Sequence, residues 1–416
     1  VPLTTAVPSG IPPHLAWEQT CKIGIQDQAR DIIETRDGGY AIAGITTTSD
    51  ASLSPGPLFP QDAFLLMTDR HGNVVWNHTY GGRSGDGAHA VRETSDGGFI
   101  LAGYTSGPDH HDADRYLVRT DGNGRLLWER HYPGPGFDAL YSVCELPGGG
   151  FVAAGESDGD QNADRRDMYL ARIDENGGIM WEKTYPGEYS NGVRSLEPTP
   201  DGGYILAGYA NPSLVKITGS GETEWTLDHQ GGLASARPAG DGGYITTGIE
   251  ASRDTGHLTM MLLKITHAGE TEWMTRSPDV MSSGSASAIT GDGGFLAVGT
   301  ATILRGDPTD GGIPFSSSIS VLHTDSAGRL LWNMTLSPSP YNEGVRILES
   351  SDGGFIVLGN TADQANAGAL YAHGYMPGEI YLGKLVPGKE SPGMTTPLLF
   401  APVCAMVLLL ILIRRK

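Results

Sequence analysis

Apolar and polar residues alternate along this chain in short runs bounded by glycine-rich turns, a pattern typical of β-strands. The clearest run is Ser95–Gly103, in which Asp-Gly-Gly is followed by an aromatic residue, apolar residues and glycine. Because Asp-Gly-Gly supplies the positive φ angles of a tight turn, each copy predicts a β-hairpin. Seven copies occur, and they begin at Asp37, Asp96, Gly148, Asp201, Asp241, Asp292 and Asp352.

A second hairpin in each repeat ends on a strand that carries tryptophan, as in Asp114–Trp128. All seven tryptophans of the chain hold this position: Trp17, Trp76, Trp128, Trp181, Trp225, Trp273 and Trp332. Each repeat of 44 to 59 residues therefore contains four short strands, which is the content of one β-propeller blade. We expect each tryptophan ring to be a core residue that packs between adjacent blades.

The two ends of the chain predict how the ring of blades closes. Trp17 lies on a fourth strand that lacks the preceding three, whereas Gly344–Leu385 supplies three strands with no tryptophan strand after them. Joined, these pieces complete a seventh blade and leave no free sheet edge. The sequence thus predicts an all-β fold, a seven-bladed β-propeller closed by N- and C-terminal strands.

The net charge argues against nucleic acid as a partner, and the cysteine positions argue against a disulfide. The formal net charge of −20 disfavours nucleic acid as a partner, because phosphate contacts need a basic patch. The three cysteines, Cys21, Cys144 and Cys404, fall in different parts of the chain, so we expect buried thiols rather than a disulfide.

The C-terminal end predicts a membrane anchor. Residues 396–413 carry no charge, and three basic residues follow them at 414–416. We therefore divide the chain into an N-terminal extension (1–16), the propeller (17–386), a Pro/Gly linker (387–395) and a transmembrane segment (396–416). Because the basic end is expected in the cytoplasm, the propeller is expected on the extracellular side of the cell membrane.

Three stretches resemble known families. The Asp-Gly-Gly-Tyr, Asp-x-Tyr-Leu and Gly-x-x-x-Trp motifs resemble secreted archaeal and bacterial propeller proteins. Thr120–Trp128 resembles the tryptophan-docking repeat of quinone-dependent dehydrogenases, which usually have eight blades and a metal–quinone site. Ser391–Met394, with the apolar run and basic end, resembles archaeal C-terminal sorting tails, although Met394 stands where that family has Phe. This likeness implies an archaeal envelope and, where such tails are processed, a lipid anchor.

Five glutamates before the turn motif are the candidate metal ligands. Four lie three residues before the first residue of the motif and the fifth lies four residues before it: Glu34, Glu93, Glu145, Glu349 and Glu197. Since carboxylates are the ligands of hard cations, an arc of them at the channel mouth predicts a calcium site. The alternative is that each glutamate binds a neighbouring turn or faces solvent. Acidic loops at 110–114 and 158–164 are further metal candidates, of a composition that is more often simply solvated.

The remaining signals concern the surface. Sequons at Asn77 and Asn333 predict glycans on outer strands. Connections between the second and third strands vary most in length, so we expect ligand binding on their face, with exposed aromatics such as Tyr341, Tyr371 and Tyr375.

No catalytic motif is found in the sequence. The sequence therefore predicts a non-enzymatic binding or structural module of the cell envelope, with an envelope protein or glycan as partner and no cofactor beyond calcium. The alternative is an extracellular hydrolase or quinone-dependent oxidoreductase that uses the same face or the central channel.

Overall fold

Seven four-stranded antiparallel sheets form the structure, which is a computed structural model. It describes residues 11–47, 61–82, 85–106, 113–134, 136–158, 166–186, 192–209, 211–251, 256–279, 281–304, 315–363 and 378–388. Within these ranges no helix is long and apolar enough to cross a membrane. The predicted transmembrane segment at 396–416, most of the two acidic loops, and the residues Tyr371, Tyr375 and Cys404 lie outside them.

The strands follow the order of the repeats, with four strands to a blade. Blade one contains β2 (Gln26–Glu34), β3 (Tyr40–Thr47), β4 (Gln61–Thr68) and β5 (Val74–Tyr80). Blade two contains β6 (Asp86–Glu93), β7 (Phe99–Ser106), β8 (Ala113–Thr120) and β9 (Leu126–Tyr132). Blade three contains β10 (Ala139–Glu145), β11 (Phe151–Asp158), β12 (Arg166–Ile173) and β13 (Ile179–Tyr185). Blade four contains β14 (Val193–Pro198), β15 (Tyr204–Gly208), β16 (Leu214–Ile217) and β17 (Thr223–Leu227).

The last three blades complete the ring. Blade five contains β18 (Leu233–Pro238), β19 (Tyr244–Ala251), β20 (Leu258–Ile265) and β21 (Thr271–Arg276). Blade six contains β22 (Ser282–Ile289), β23 (Phe295–Leu304), β24 (Phe315–Thr324) and β25 (Leu330–Leu336). Blade seven combines β26 (Tyr341–Glu349), β27 (Phe355–Ala362) and β28 (Glu379–Val386) with β1 (His14–Cys21) from the other end of the chain. The predicted seven-bladed propeller and its closure by both termini are confirmed.

The first strand of each blade is the innermost one. Each of these strands packs against the first strands of the two adjacent blades, and β26 packs against β2, so the seven first strands surround a central channel. The Asp-Gly-Gly turns lie at one end of this channel. The connections between second and third strands lie at the other end, which we call the variable-loop face.

The hydrophobic core lies between the blades rather than within them. Each of its seven clusters joins two adjacent blades, as where Leu65 and Tyr80 of blade one meet Leu101 and Tyr116 of blade two. Burial of these side chains, at about 25 cal/mol per Å² of apolar surface, therefore fixes each blade against its neighbours.

The repeated tryptophans lie at the outer ends of these interfaces. Trp76 packs edge-on against Phe99 of the next blade at 6.3 Å, and Trp128 packs in the same way on Phe151 at 6.2 Å. Trp332 is buried at 4% exposure, whereas the other six are only partly buried. The rings thus pack between blades as expected, but six of them cover the edge of the core instead of lying inside it.

A residue of the third strand stands opposite each tryptophan, and in six blades it is Arg, Lys or His; all seven are buried except Arg172, which is half-buried. These residues are Arg119, Arg172, Lys216, Lys264, His323 and Lys384, with Met67 in blade one. The Nζ atom of Lys216 lies 2.8 Å from Asp201 of the turn motif and 2.7 Å from Glu224, and Lys264 contacts Asp241 at 2.8 Å. These ion pairs anchor the Asp-Gly-Gly turns to the sheet behind them.

Deletion of residues 1–22 is expected to lower the melting temperature far more than deletion of residues 387–416. The first deletion removes β1, whose pairing with β28 closes blade seven, and it therefore exposes a sheet edge and part of the core. Thermal unfolding followed by circular dichroism measures both. Equal melting temperatures for the two truncations would contradict closure through β1.

Lys216→Met is expected to cost about 1–2 kcal/mol of unfolding free energy at pH 7. Hydrogen bonds to charged groups contribute about 1.5–3 kcal/mol, and the solvent exposure of Asp201 and Glu224 reduces this value. Met67 holds the same position in blade one, so the side chain fits the fold. The hydrogen bond from Lys216 lowers the pKa of Asp201 to about 2. Because this pKa is lower in the folded chain, the stabilisation is present above about pH 4 and lost as the pH falls toward 2.

Urea unfolding at pH 7 and at pH 2 measures this effect, with the exposed Lys22→Met as the control. The difference in unfolding free energy between wild type and Lys216→Met should be smaller at the lower pH. A difference that is the same at both pH values would show that the Lys216–Asp201 pair is not its source.

Candidate functional site

Every first strand contains a β-bulge at the same place, in the half nearer the variable-loop face. The register with the second strand shifts by one residue at each of these points. The extra residue lies seven positions before the first residue of the turn motif in all seven repeats. These residues are Arg30, His89, Tyr141, Arg194, Ala234, Ser285 and Val345, and we call them the mouth ring.

The last glycine of the repeated motif makes the bulge possible. Gly103 pairs with Ala88 directly before the bulge at His89, and a Cβ atom on Gly103 would lie 1.8 Å from the carbonyl oxygen of Gly87. Gly155 has the same relation to the bulge at Tyr141, with 1.9 Å to the oxygen of Ala139. Since no other residue tolerates such an approach, the glycine lets the first strand bend inward and turn a side chain toward the channel.

The mouth ring has two unlike halves. Blades one to four contribute the large polar or aromatic side chains Arg30, His89, Tyr141 and Arg194, whereas blades five to seven contribute the small residues Ala234, Ser285 and Val345. The large side chains contact one another across the blade boundaries. The rings of His89 and Tyr141 are stacked at 4.4 Å, and the guanidinium of Arg194 lies over the Tyr141 ring at 4.0 Å.

Deeper in the channel, three arginines and two carboxylates form a network that we call the arginine floor: Arg92, Arg237, Arg346, Asp31 and Glu197. Asp31 contacts Arg92 at 2.7 Å and Arg346 at 2.9 Å. Glu197 lies 3.9 Å from both Arg92 and Arg237. Five of the seven blades contribute one residue each, so the network spans the channel.

Charge in the floor is only partly balanced. Burial alone would raise the pKa of Asp31, but Arg346 and Arg92 outweigh it and hold that pKa below its usual range. Burial lowers the pKa of Arg237, and its neighbours Arg346 and Arg92 lower it further, while Glu197 opposes them. The channel wall therefore keeps a cation, Arg237, whose one carboxylate neighbour among the described residues is 3.9 Å away.

The mouth ring and the arginine floor together carry a surplus of positive charge. Arg30 and Arg194 of the mouth ring join the three arginines of the floor, and these five face the two carboxylates Asp31 and Glu197. The named groups thus have a formal excess of three positive charges in a protein whose net charge is −20. Low-dielectric walls around such a cluster concentrate its field on the channel.

Neither the mouth ring nor the arginine floor was predicted from the sequence, although Glu197 was predicted as a metal ligand. The mouth ring differs from blade to blade, so a search for repeated residues passes over it. The constant distance of seven residues before the turn motif was the signal that could have found it.

The five predicted metal ligands do not come together. Four of them reach the turn of the preceding blade: backbone N–H groups of Ser351, Arg36, Ser95 and Gly291 donate to Glu34, Glu93, Glu145 and Glu349 at 2.8, 2.9, 2.6 and 3.1 Å. Glu197 instead belongs to the arginine floor. Among the described residues, no group of three or more His, Cys, Asp or Glu side chains is arranged to hold a metal ion. Calcium binding by these five residues thus stays a prediction without a ligand group in the structure.

These four glutamates connect adjacent blades by hydrogen bonds. Each of the four carboxylates satisfies a turn N–H of its neighbour, and Glu34 does so across the closure of the ring, between blades one and seven. The predicted alternative, a glutamate that binds a neighbouring turn, describes these four residues.

Other predicted surface residues have mixed outcomes. Tyr341 is buried at 4% exposure against Phe315, so it is a core residue and not an exposed binding aromatic. Asn77 is exposed on β5. Asn333 is half-buried, and its Nδ2 atom donates to Asp279 at 3.3 Å. Cys21 and Cys144 are buried free thiols, and burial raises the pKa of Cys144 to about 12.

Comparisons with known proteins show the same fold. The chain is similar to virginiamycin B lyase from Staphylococcus aureus, with 14% identity, a TM-score of 0.53, and coverage of 89% of this chain and 99% of the other. The Pan2 WD40 domain of Neurospora crassa is 11% identical over 88% and 91% of the two chains, with a TM-score of 0.52. YCF48 bound to D1 peptide is 12% identical over 92% and 100%, with a TM-score of 0.50.

At these identities the likeness extends to the propeller fold alone. No family model matches the chain, and no curated protein matches it significantly. The class that the fold defines is therefore a seven-bladed β-propeller, and its mouth ring and arginine floor contribute five arginines to the central channel.

Proposed function

We propose that this chain is a membrane-anchored binding module on the extracellular side of the cell envelope, which binds an anionic group of its ligand in the central channel. The observation that carries the proposal is the formal excess of three positive charges among the groups of the mouth ring and arginine floor, in a protein with a net charge of −20. A fold does not require this arrangement, because blades five to seven place small side chains at the same mouth-ring positions.

The geometry suits binding. Guanidinium groups are planar donors that match carboxylate, sulfate or phosphate oxygens, and those of the channel are held in place by ion pairs or stacked rings. A ligand that enters from the variable-loop face therefore meets donors that need little reorganisation. Such preorganisation lowers the entropic cost of binding.

The cellular location rests on the sequence of the C-terminal segment. The uncharged stretch before the basic residues at 414–416 supports an anchor with its end in the cytoplasm. Exposed Asn77 supports an exported domain that can carry a glycan there. The proposed partner is an acidic group on an envelope protein or glycan. The likeness to virginiamycin B lyase adds no enzymatic activity to this proposal, because 14% identity reflects the fold.

Retention on a sulfopropyl matrix tests the proposal, because an acidic protein should be repelled by it. We expect the detergent-solubilised full-length protein to bind at pH 7 and low salt, and Arg237→Met to elute at lower salt. Arg329→Met is the matched control, since Arg329 is 83% exposed on the turn between β24 and β25, away from the channel and on the face opposite the variable loops.

A second control replaces the basic residues at 414–416 with glutamine, which removes the cationic tail as a source of retention. Flow-through of the wild-type protein, or equal effects of Arg237→Met and Arg329→Met, would contradict an anion-binding channel.

A further inference from the structure

Arg194 of the mouth ring is held firmly and left with unused hydrogen-bonding capacity. Its guanidinium lies between two tyrosine rings, 4.0 Å from the centre of Tyr141 and 5.1 Å from that of Tyr209. Its Nε atom is buried and has no hydrogen-bond partner, and no described carboxylate is within ion-pair distance. A buried donor without a partner is destabilising, so a site that keeps one is suited to a ligand that satisfies it.

Arg30 of blade one provides a second guanidinium with an unused donor. One of its terminal nitrogens donates to Gln28 at 2.8 Å, but its Nε atom is buried without a partner. Among the described residues it too has no carboxylate within ion-pair distance. Two cations that lack a carboxylate within ion-pair distance among the described residues thus belong to the mouth ring, and blades two and three lie between them.

His89 is the blade-two member, and both arginines act on it electrostatically. Its ring is stacked on Tyr141 of β10 at 4.4 Å and lies 5.5 Å from Tyr104 of β7. Burial, followed by the charges of Arg30 on β2 and Arg194 on β14, lowers the pKa of His89 well below its usual range. Glu156 accepts a hydrogen bond from the Tyr141 hydroxyl at 2.9 Å and acts on Arg194 electrostatically, but its carboxylate is already 2.8 Å from Arg166. His89 is therefore neutral while the ring is empty.

We propose that Arg30, His89 and Arg194 form a binding site for one small oxyanion at the mouth of the channel, and that His89 takes up a proton when the anion binds. This rests on the proposed function, in which the channel binds anionic groups, and it identifies the residues and the ligand class. The two guanidiniums supply the donors that oxyanions need. The net charge of −20 selects against long polyanions, so the ligand group has one or two charges.

Proton uptake follows from the same charges. Burial is the larger cause of the lowered pKa of His89, and repulsion from the two arginines adds to it. An anion between the arginines offsets that repulsion, so the pKa of His89 is higher in the complex than in the free protein. By linkage, a group whose pKa rises on binding makes the affinity increase as the pH falls toward the higher value. Binding should therefore strengthen from pH 8 to pH 5.

Isothermal titration of the full-length protein in detergent with sulfate tests the proposal. Sulfate keeps its charge over this pH range, so any pH dependence reports on the protein. We expect tighter binding at pH 5 than at pH 8, and titrations in two buffers of different ionisation enthalpy should show net proton uptake. His89→Phe keeps a ring in the stack and should bind sulfate without uptake, whereas the exposed control His71→Phe should behave as wild type.

Substitution of Arg30 and of Arg194 tests whether their guanidinium groups bind the anion. Arg30→Lys and Arg194→Lys keep the charge but lose the planar fork, so each should weaken sulfate binding about tenfold or more. Arg329→Lys, on the outer turn between β24 and β25, should leave sulfate binding unchanged. Melting temperatures of all variants verify folding.

Unchanged affinity in both arginine variants, or sulfate binding without proton uptake in the wild type, would overturn this site. The sulfopropyl experiment distinguishes failure of the mouth-ring site from failure of the anion-binding channel as a whole. Retention that depends on Arg237, together with either result above, would leave an anion-binding channel but exclude the mouth-ring site.

Discussion

A steric constraint on one glycine in each blade organises the inner surface of this propeller. Where Gly103 and Gly155 pair with the first strand, a neighbouring carbonyl oxygen occupies the space that a Cβ atom would need. Because the glycine admits that oxygen, the first strand can take up an extra residue and turn its side chain inward. The repeated glycine, which reads as part of a turn-and-strand motif, is thus also the residue that gives every blade one position at the channel mouth.

The ring of blades then determines which side chains meet at that mouth. His89, Tyr141 and Arg194 belong to three consecutive blades, so their stacking at 4.4 and 4.0 Å depends on how those blades pack. That packing comes from core clusters that each join two blades and from glutamates that bind the turn of the preceding blade. Closure by β1 and β28 completes the ring, because it prevents blades seven and one from separating. A rigid scaffold is what allows unpaired guanidiniums to keep their positions without a ligand.

The scaffold could be predicted from the sequence because it repeats. Asp-Gly-Gly turns, a tryptophan in each period and incomplete repeats at both ends imply seven blades closed by the termini, and the structure has these features. The ion pairs of Lys216 and Lys264 with the turn aspartates were not predicted, since they join residues of different strands that only the register brings together.

The site could not be predicted in the same way. A bulge is a single-residue irregularity, and Arg30, His89 and Arg194 share no residue type that a repeat search would detect. Their contacts arise only when consecutive blades are side by side. The five glutamates were predicted to form one metal site because they hold matching positions in their blades. Four of them instead each bind the turn of the preceding blade, because matching positions in different blades face matching turns.

The central claim is that the mouth ring holds an anion between Arg30 and Arg194, next to His89. Anomalous diffraction from crystals of the full-length protein grown with selenate tests it most directly, since selenium marks the position of the oxyanion. The account predicts a selenium peak within hydrogen-bonding reach of both guanidiniums, at the variable-loop end of the channel. A well-ordered channel with no selenium there, or a peak bound only elsewhere on the protein, would contradict it.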